Sequence, residues 1–186
     1  MKTGELALAY IDLKVARTLF SPYRNKGKEL EPFMGNVILF HSVQAIEKMM
    51  KGIIVEQGIR DYRYTHNIDG MQTDLYQLNP SFFEDHSFLL ENGAALSDVN
   101  SIRYGSRSVA PSIILPTLKE ASKMFEEQLA IWSKQHGGAD FEQFLEAARA
   151  YETKLLPFYM IQDGKQIGGP AANSVFSAVE KDDEER

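Results

Sequence analysis

Residues 36–57 set Val37, Phe40, Val43, Ile46, Met50 and Ile53 or Ile54 three and four positions apart, which a helix aligns into one apolar stripe. Gly58 follows as a natural C-terminal stop. Nowhere does the chain offer a convincing alternation of apolar and polar residues over five or more positions, the signature of a half-buried strand. The expected fold is therefore all-α.

The same spacing recurs along the chain. Leu6, Ala9, Leu13, Ala16 and Phe20 predict a helix over 3–20, ended by Ser21 and Pro22, and a polar connection over 23–34 follows. Thr65 is read as the N-cap of a helix carrying Ile68, Met71, Leu75 and Leu78. A longer helix over 81–102 carries Phe82, Phe88, Leu89, Ala95, Val99 and Ile102, with Gly93 weakening its middle by about 1 kcal/mol relative to alanine. After Pro111 and Pro116, Leu118 to Trp132 define a further helix stopped by Gly137-Gly138. Asp140 caps the last one, with Phe141, Phe144, Leu145, Ala148 and Leu155 inward and Pro157 near its end. The expectation is an up-and-down bundle of five or six helices occupying residues 1–160, with an irregular acidic tail over 161–186. No internal repeat and no second core is legible.

Composition narrows the chemistry. The 186 residues contain no cysteine, which removes zinc–thiolate, iron–sulfur and thiol-nucleophile sites. His41, His66, His86 and His136 fit no metal-ligand spacing, and no phosphate loop, dinucleotide fingerprint or serine-hydrolase elbow occurs, so no metal or cofactor is expected. The formal charge of −6 argues against nucleic-acid binding over the whole surface, but residues 180–186 alone supply −3 of it, leaving room for a local basic patch. No run approaches the roughly 18 apolar residues of a membrane span. The N-terminus lacks a basic segment followed by an apolar core, and the expected location is the cytoplasm.

Three groups of polar residues are candidates for a site. His41, Gln44, Lys48 and Lys51 follow one another at intervals of three, four and three, a polar stripe on a second face of the 36–57 helix. Lys48 and Lys51, one turn apart, could hold a phosphate; the alternative is a solvated face with Glu47–Lys51 as an i,i+4 pair. Arg103, Tyr104 and Arg107 could clamp a phosphate beneath a stacked base, or bond free helix-end carbonyls. His66, beside a helix cap, could meet a ligand, an orphan N–H or a carboxylate.

Three of these segments, in this order, resemble a known family. The run from Asn36 to Gly58, with Gln44, Ala45, Glu47, Lys48 and Lys51, is similar to the second helix of HEPN domains and its Gln-Ala-x-Glu-Lys-x-x-Lys pattern. Thr65-His66-Asn67-Ile68 resembles the family's Thr-His-Asp-Leu opening of the third helix, with Asn in place of Asp, and Arg103-Tyr104 its Arg-Tyr after the fourth. The resemblance spans residues 3–135; the 23–34 connection is longer than usual and the residues after Gln135 have no counterpart. It implies a HEPN-like bundle with a C-terminal extension. It also implies homodimerisation and either ribonuclease activity, nucleotide binding or a non-catalytic role beside a minimal nucleotidyltransferase. The ribonuclease branch separates an Arg and a His by four to six residues, one to stabilise a charged phosphorane and one to move a proton. After Arg103 those positions hold Ser108, Val109 and Ala110, and no His follows Arg107 until His136. The leading expectation is thus a non-catalytic nucleotide- or RNA-binding module, with Gln44, Lys48, Lys51, His66, Arg103 and Tyr104 as its contacts and a nucleotidyltransferase as partner, in a toxin–antitoxin or defence setting. Two alternatives stand beside it: a degenerate ribonuclease pairing Arg103 with a spatially adjacent His, and an interaction module with no small ligand.

Overall fold

The computed structural model describes residues 1–26, 29–58, 67–97 and 111–159, with 161–162 and 165–166 beyond them. The chain divides into two compact units, Met1–Trp132 and Ser133–Arg186. The fold is all-α.

In the first unit, α1 (Thr3–Lys26) buries Leu6, Ala9, Leu13 and Ala16 along the expected stripe. It does not stop at Pro22 but carries it inside the helix. The cost is small because Thr18, whose carbonyl loses its partner there, is exposed, as is Pro22 itself, so water can take the bond. α2 (Pro32–Glu56) starts earlier than expected, with proline at the first helical position, where its missing N–H costs nothing. Gly58 ends it at φ +78°, as expected.

α2 lies against both α1 and α3 (Ile68–Leu78), and so it is apolar over more than one stripe. Ile38, Leu39, Ala45 and Met49 join Val43, Ile46, Met50, Ile53 and Ile54 in the core, while Val37 and Phe40 are half-buried. The cap of α3 is Asn67, whose side chain accepts from the Gly70 N–H at 3.0 Å, and not Thr65. Placing the cap there buries Ile68, Met71 and Leu75.

The single helix expected over 81–102 is two. α4 (Phe82–Asp85) and α5 (Ser87–Ser97) are separated by His86, at φ −119° and ψ 37°, because its ring is drawn inward to a buried ionic site. Leu89 is buried as expected, but the break turns Phe83 and Leu96 inward while Phe82 and Phe88 are half-buried and Ala95 is exposed; Val99 and Ile102 lie outside the described residues. Gly93 is where α3 and α5 approach: a Cβ there would lie 1.9 Å from Gln72 Oε1, and the Gln72 amide donates across to the Leu89 carbonyl.

α6 (Pro111–Gln135) begins about two turns before Leu118 and runs through an exposed Pro116. The deprived carbonyl belongs to exposed Ser112, in the first turn. Its Leu118, Ala121, Met124, Phe125 and Trp132 are buried, and the Trp132 indole donates to Thr3 Oγ1 at 3.0 Å.

In the second unit, Gly137 and Gly138 both have positive φ, as a helix stop there requires. Asp140 and Gln143 then cap α7 (Phe141–Tyr159) reciprocally, each side-chain oxygen accepting the other's backbone N–H at 2.9 Å. Beyond it, in a stretch expected to be irregular, β1 (Ile161–Gln162) pairs antiparallel with β2 (Lys165–Gln166). Among the described residues no helix is long and apolar enough to cross a membrane.

Candidate functional site

The polar stripe of α2 is not a solvated face. It forms a seam against α1, where two carboxylates organise it. Asp12, projecting from α1 and only 8% exposed, accepts from both sides: its Oδ1 lies 2.7 Å from His41 Nδ1, and its Oδ2 takes a bond from Lys48 Nζ. Glu47, 3% exposed, accepts from Lys51 Nζ at 2.5 Å and from Gln44 Nε2 at 3.3 Å. His41, Gln44, Lys48 and Lys51 are half-buried.

Each lysine thus has a carboxylate partner, so the two lysines and two carboxylates of the seam balance in charge. Such pairing lowers the net attraction for a polyanion. It also fixes the ammonium groups in position, and an ammonium has three N–H donors of which one carboxylate takes a single one. The arrangement suits directional hydrogen bonding to one or two anionic groups better than diffuse attraction to a nucleic-acid backbone.

Sequence reasoning did not single out Asp12. The signal was present: at about 100° per residue, Asp12 falls within roughly 40–60° of Ala9 and Ala16 on the flank of the buried stripe of α1. A carboxylate at such an edge must find partners on the helix packed against it.

A second ionic site holds the corner between α4 and α5. His86 is 1% exposed and lies between two glutamates of α6, with Nδ1 2.6 Å from Glu120 Oε1 and Nε2 2.8 Å from Glu127 Oε2. The Phe82 ring covers the imidazole at 4.2 Å between centroids, and Lys123, between the two glutamates in sequence, donates to the Asp85 carbonyl. Burial pulls the imidazole toward its neutral form, but the Glu120 hydrogen bond and the charges of both glutamates outweigh it and hold the group above the usual histidine range. A ring with a carboxylate on each nitrogen is a doubly donating imidazolium. Periodicity alone could not find this site, because its members are 34 and 41 residues apart in the chain.

Of the residues expected to contact a ligand, Gln44, Lys48 and Lys51 stand on one half-buried face of α2. His66, Arg103 and Tyr104, with Arg107, lie outside the described residues. Among the described residues no group of three or more His, Asp or Glu side chains is arranged to hold a metal ion.

A family model, the HEPN domain, matches residues 34–127, half of the chain. The chain belongs to the HEPN domain family. The match runs from the first turn of α2 into α6, taking in the whole α2 stripe and all three members of the His86 site, whereas Asp12 lies before it. Membership ties the chain to nucleotide- or RNA-related function, exercised in the family by ribonucleases or by binding modules. No curated protein and no solved structure matches the chain.

Proposed function

We propose that this chain is a non-catalytic HEPN module that binds a nucleotide or a short stretch of nucleic acid at the α1–α2 seam. In this reading it works as a homodimer beside a partner such as a minimal nucleotidyltransferase, in a toxin–antitoxin or defence setting. The observation that carries the binding reading is the ordered pair Lys48 and Lys51. Both sit on one half-buried face, held by Asp12 and Glu47 and flanked by Gln44, whose amide can address a base or ribose. The missing histidine after Arg103 and Arg107 supports a module without self-contained ribonuclease chemistry.

Thermal unfolding against a panel of nucleotides and short RNAs tests the reading. A ligand at 100 times its Kd adds about 2.7 kcal/mol, on the order of 5–10 °C for a chain of this size. The expected result is such a shift for at least one ligand, reduced in Lys48→Gln. No shift with any ligand would leave the chain an interaction module.

The Asp12–His41 pair favours one second reading. A carboxylate on Nδ1 orients an imidazole so that its other nitrogen can exchange a proton, and with Arg103 this would make a composite ribonuclease. Cleavage of single-stranded RNA in EDTA that disappears in both Arg103→Ala and His41→Ala would support it; cleavage surviving either change would remove it.

A further inference from the structure

One carboxylate serves two bases in the seam. Asp12 gives Oδ1 to the His41 ring and Oδ2 to the Lys48 ammonium, and its side chain is only 11% exposed, so water does little to replace either partner. With the imidazole neutral, Lys48 alone balances the charge of Asp12. We propose that an anion binding at Lys48 is accompanied by uptake of one proton, taken by the imidazole of His41. This rests on the binding reading above and adds its regulation: occupancy of the seam rises as pH falls.

The argument is electrostatic. An anion that draws the Lys48 ammonium toward itself leaves Asp12 short of a counter-charge; if the ammonium stays, the anion still adds negative charge beside it. Either way the seam becomes more negative, and the group best placed to restore the balance is the imidazole 2.7 Å from Asp12 Oδ1. The proton comes from solvent and joins the ring nitrogen not facing Asp12, so the imidazolium keeps its bond to the carboxylate. The two other lysines on these stretches of the helices have partners of their own. On α2, Lys51 is held by Glu47, and Gln44 is neutral; on α1, Lys14 lies over the Tyr10 ring at 5.6 Å. Phe40 meets the His41 ring edge-on at 5.2 Å and contributes no charge.

Two measurements test it. The first needs no ligand: the NMR titration of His41 is followed in wild type and in Lys48→Gln, which removes the competing cation but keeps a hydrogen-bonding side chain. The midpoint is expected to rise by up to about one pH unit, the size of effect a charge within about 4–6 Å exerts, and the rise should be smaller in an Asp12→Asn background, where the shared carboxylate charge is gone. An unchanged midpoint in Lys48→Gln would overturn the inference whatever the seam binds. The second is calorimetric titration with the dinucleotide ApA, whose phosphodiester takes no proton near neutral pH, in two buffers of different protonation enthalpy. The expectation is a buffer-dependent heat corresponding to proton uptake, lost in His41→Gln, with affinity up to about tenfold higher at pH 5.5 than at pH 8. Binding whose heat is the same in both buffers refutes the proton linkage and leaves the binding reading intact. Absence of any binding removes both.

Discussion

Replacing His86 with leucine isolates the ionic corner between α4 and α5, and its consequences can be worked through from burial. Glu120 is 10% exposed through its side chain and Glu127 is 40% exposed. Without the imidazolium, Glu127 can be re-solvated, whereas Glu120 remains a buried carboxylate that has lost its counter-ion. Breaking a buried pair from one side costs on the order of 3 kcal/mol, which for a unit of this size lowers the midpoint by about 6–12 °C. The chain has a single tryptophan, Trp132, 2% exposed in the same unit, so its fluorescence follows the relevant transition. The pH dependence gives the sharper test. The imidazole is held above its ordinary value of 6.5 in the folded chain, so its contribution is complete below that value and declines as pH rises through the folded one. The gap in midpoint between wild type and His86→Leu should therefore be widest at mildly acidic pH and narrow toward alkaline pH. Adding Glu120→Gln to His86→Leu should recover part of the loss, because the orphaned charge goes. A variant as stable as wild type, a gap that does not change with pH, or a double variant no better than the single one would refute the reasoning.

Two further outcomes follow from local geometry. Gly93→Ala places a Cβ against the Gln72 side chain and should cost about 1–3 kcal/mol by chemical denaturation; in a Gln72→Ala background the same change should cost less than half as much, and equal costs would contradict the packing account. Asn67→Ala removes the acceptor for the Gly70 N–H and should cost about 1 kcal/mol, with faster amide exchange confined to the first turn of α3; unchanged exchange there would mean that Asn67 is not the cap.

How much could be read in advance depended on the range of the interactions concerned. The α1 stripe, the Gly58 and Gly137-Gly138 stops and the Asp140 cap are local, and each is found where its spacing puts it. Prolines mark helix boundaries less strictly than their chemistry suggests: Pro22, expected as a stop, and Pro116, expected before a start, both sit inside helices because each deprives only an exposed carbonyl. The break at His86 was missed for the opposite reason, since the force that bends the chain comes from Glu120 and Glu127, far away in sequence. In the seam, the residues of the α2 stripe were legible as a set, but their setting was not. A polar stripe on one helix does not reveal that Asp12 of another helix will meet it, nor that Glu47 will be buried beneath Lys51.

The central claim is that the α1–α2 seam is a ligand site and not a structural ion-pair network. It is tested most directly by a binding isotherm for the nucleotide or RNA giving the largest thermal shift, compared between wild type and Lys48→Gln. Losing a charge-assisted hydrogen bond of about 1.5–3 kcal/mol should weaken binding roughly ten- to hundredfold. Because Lys48→Gln leaves Asp12 with only its His41 hydrogen bond, the variant should lose some stability, and the isotherms are compared at a temperature where both proteins are folded. An unchanged affinity in Lys48→Gln would place the ligand elsewhere and contradict the account.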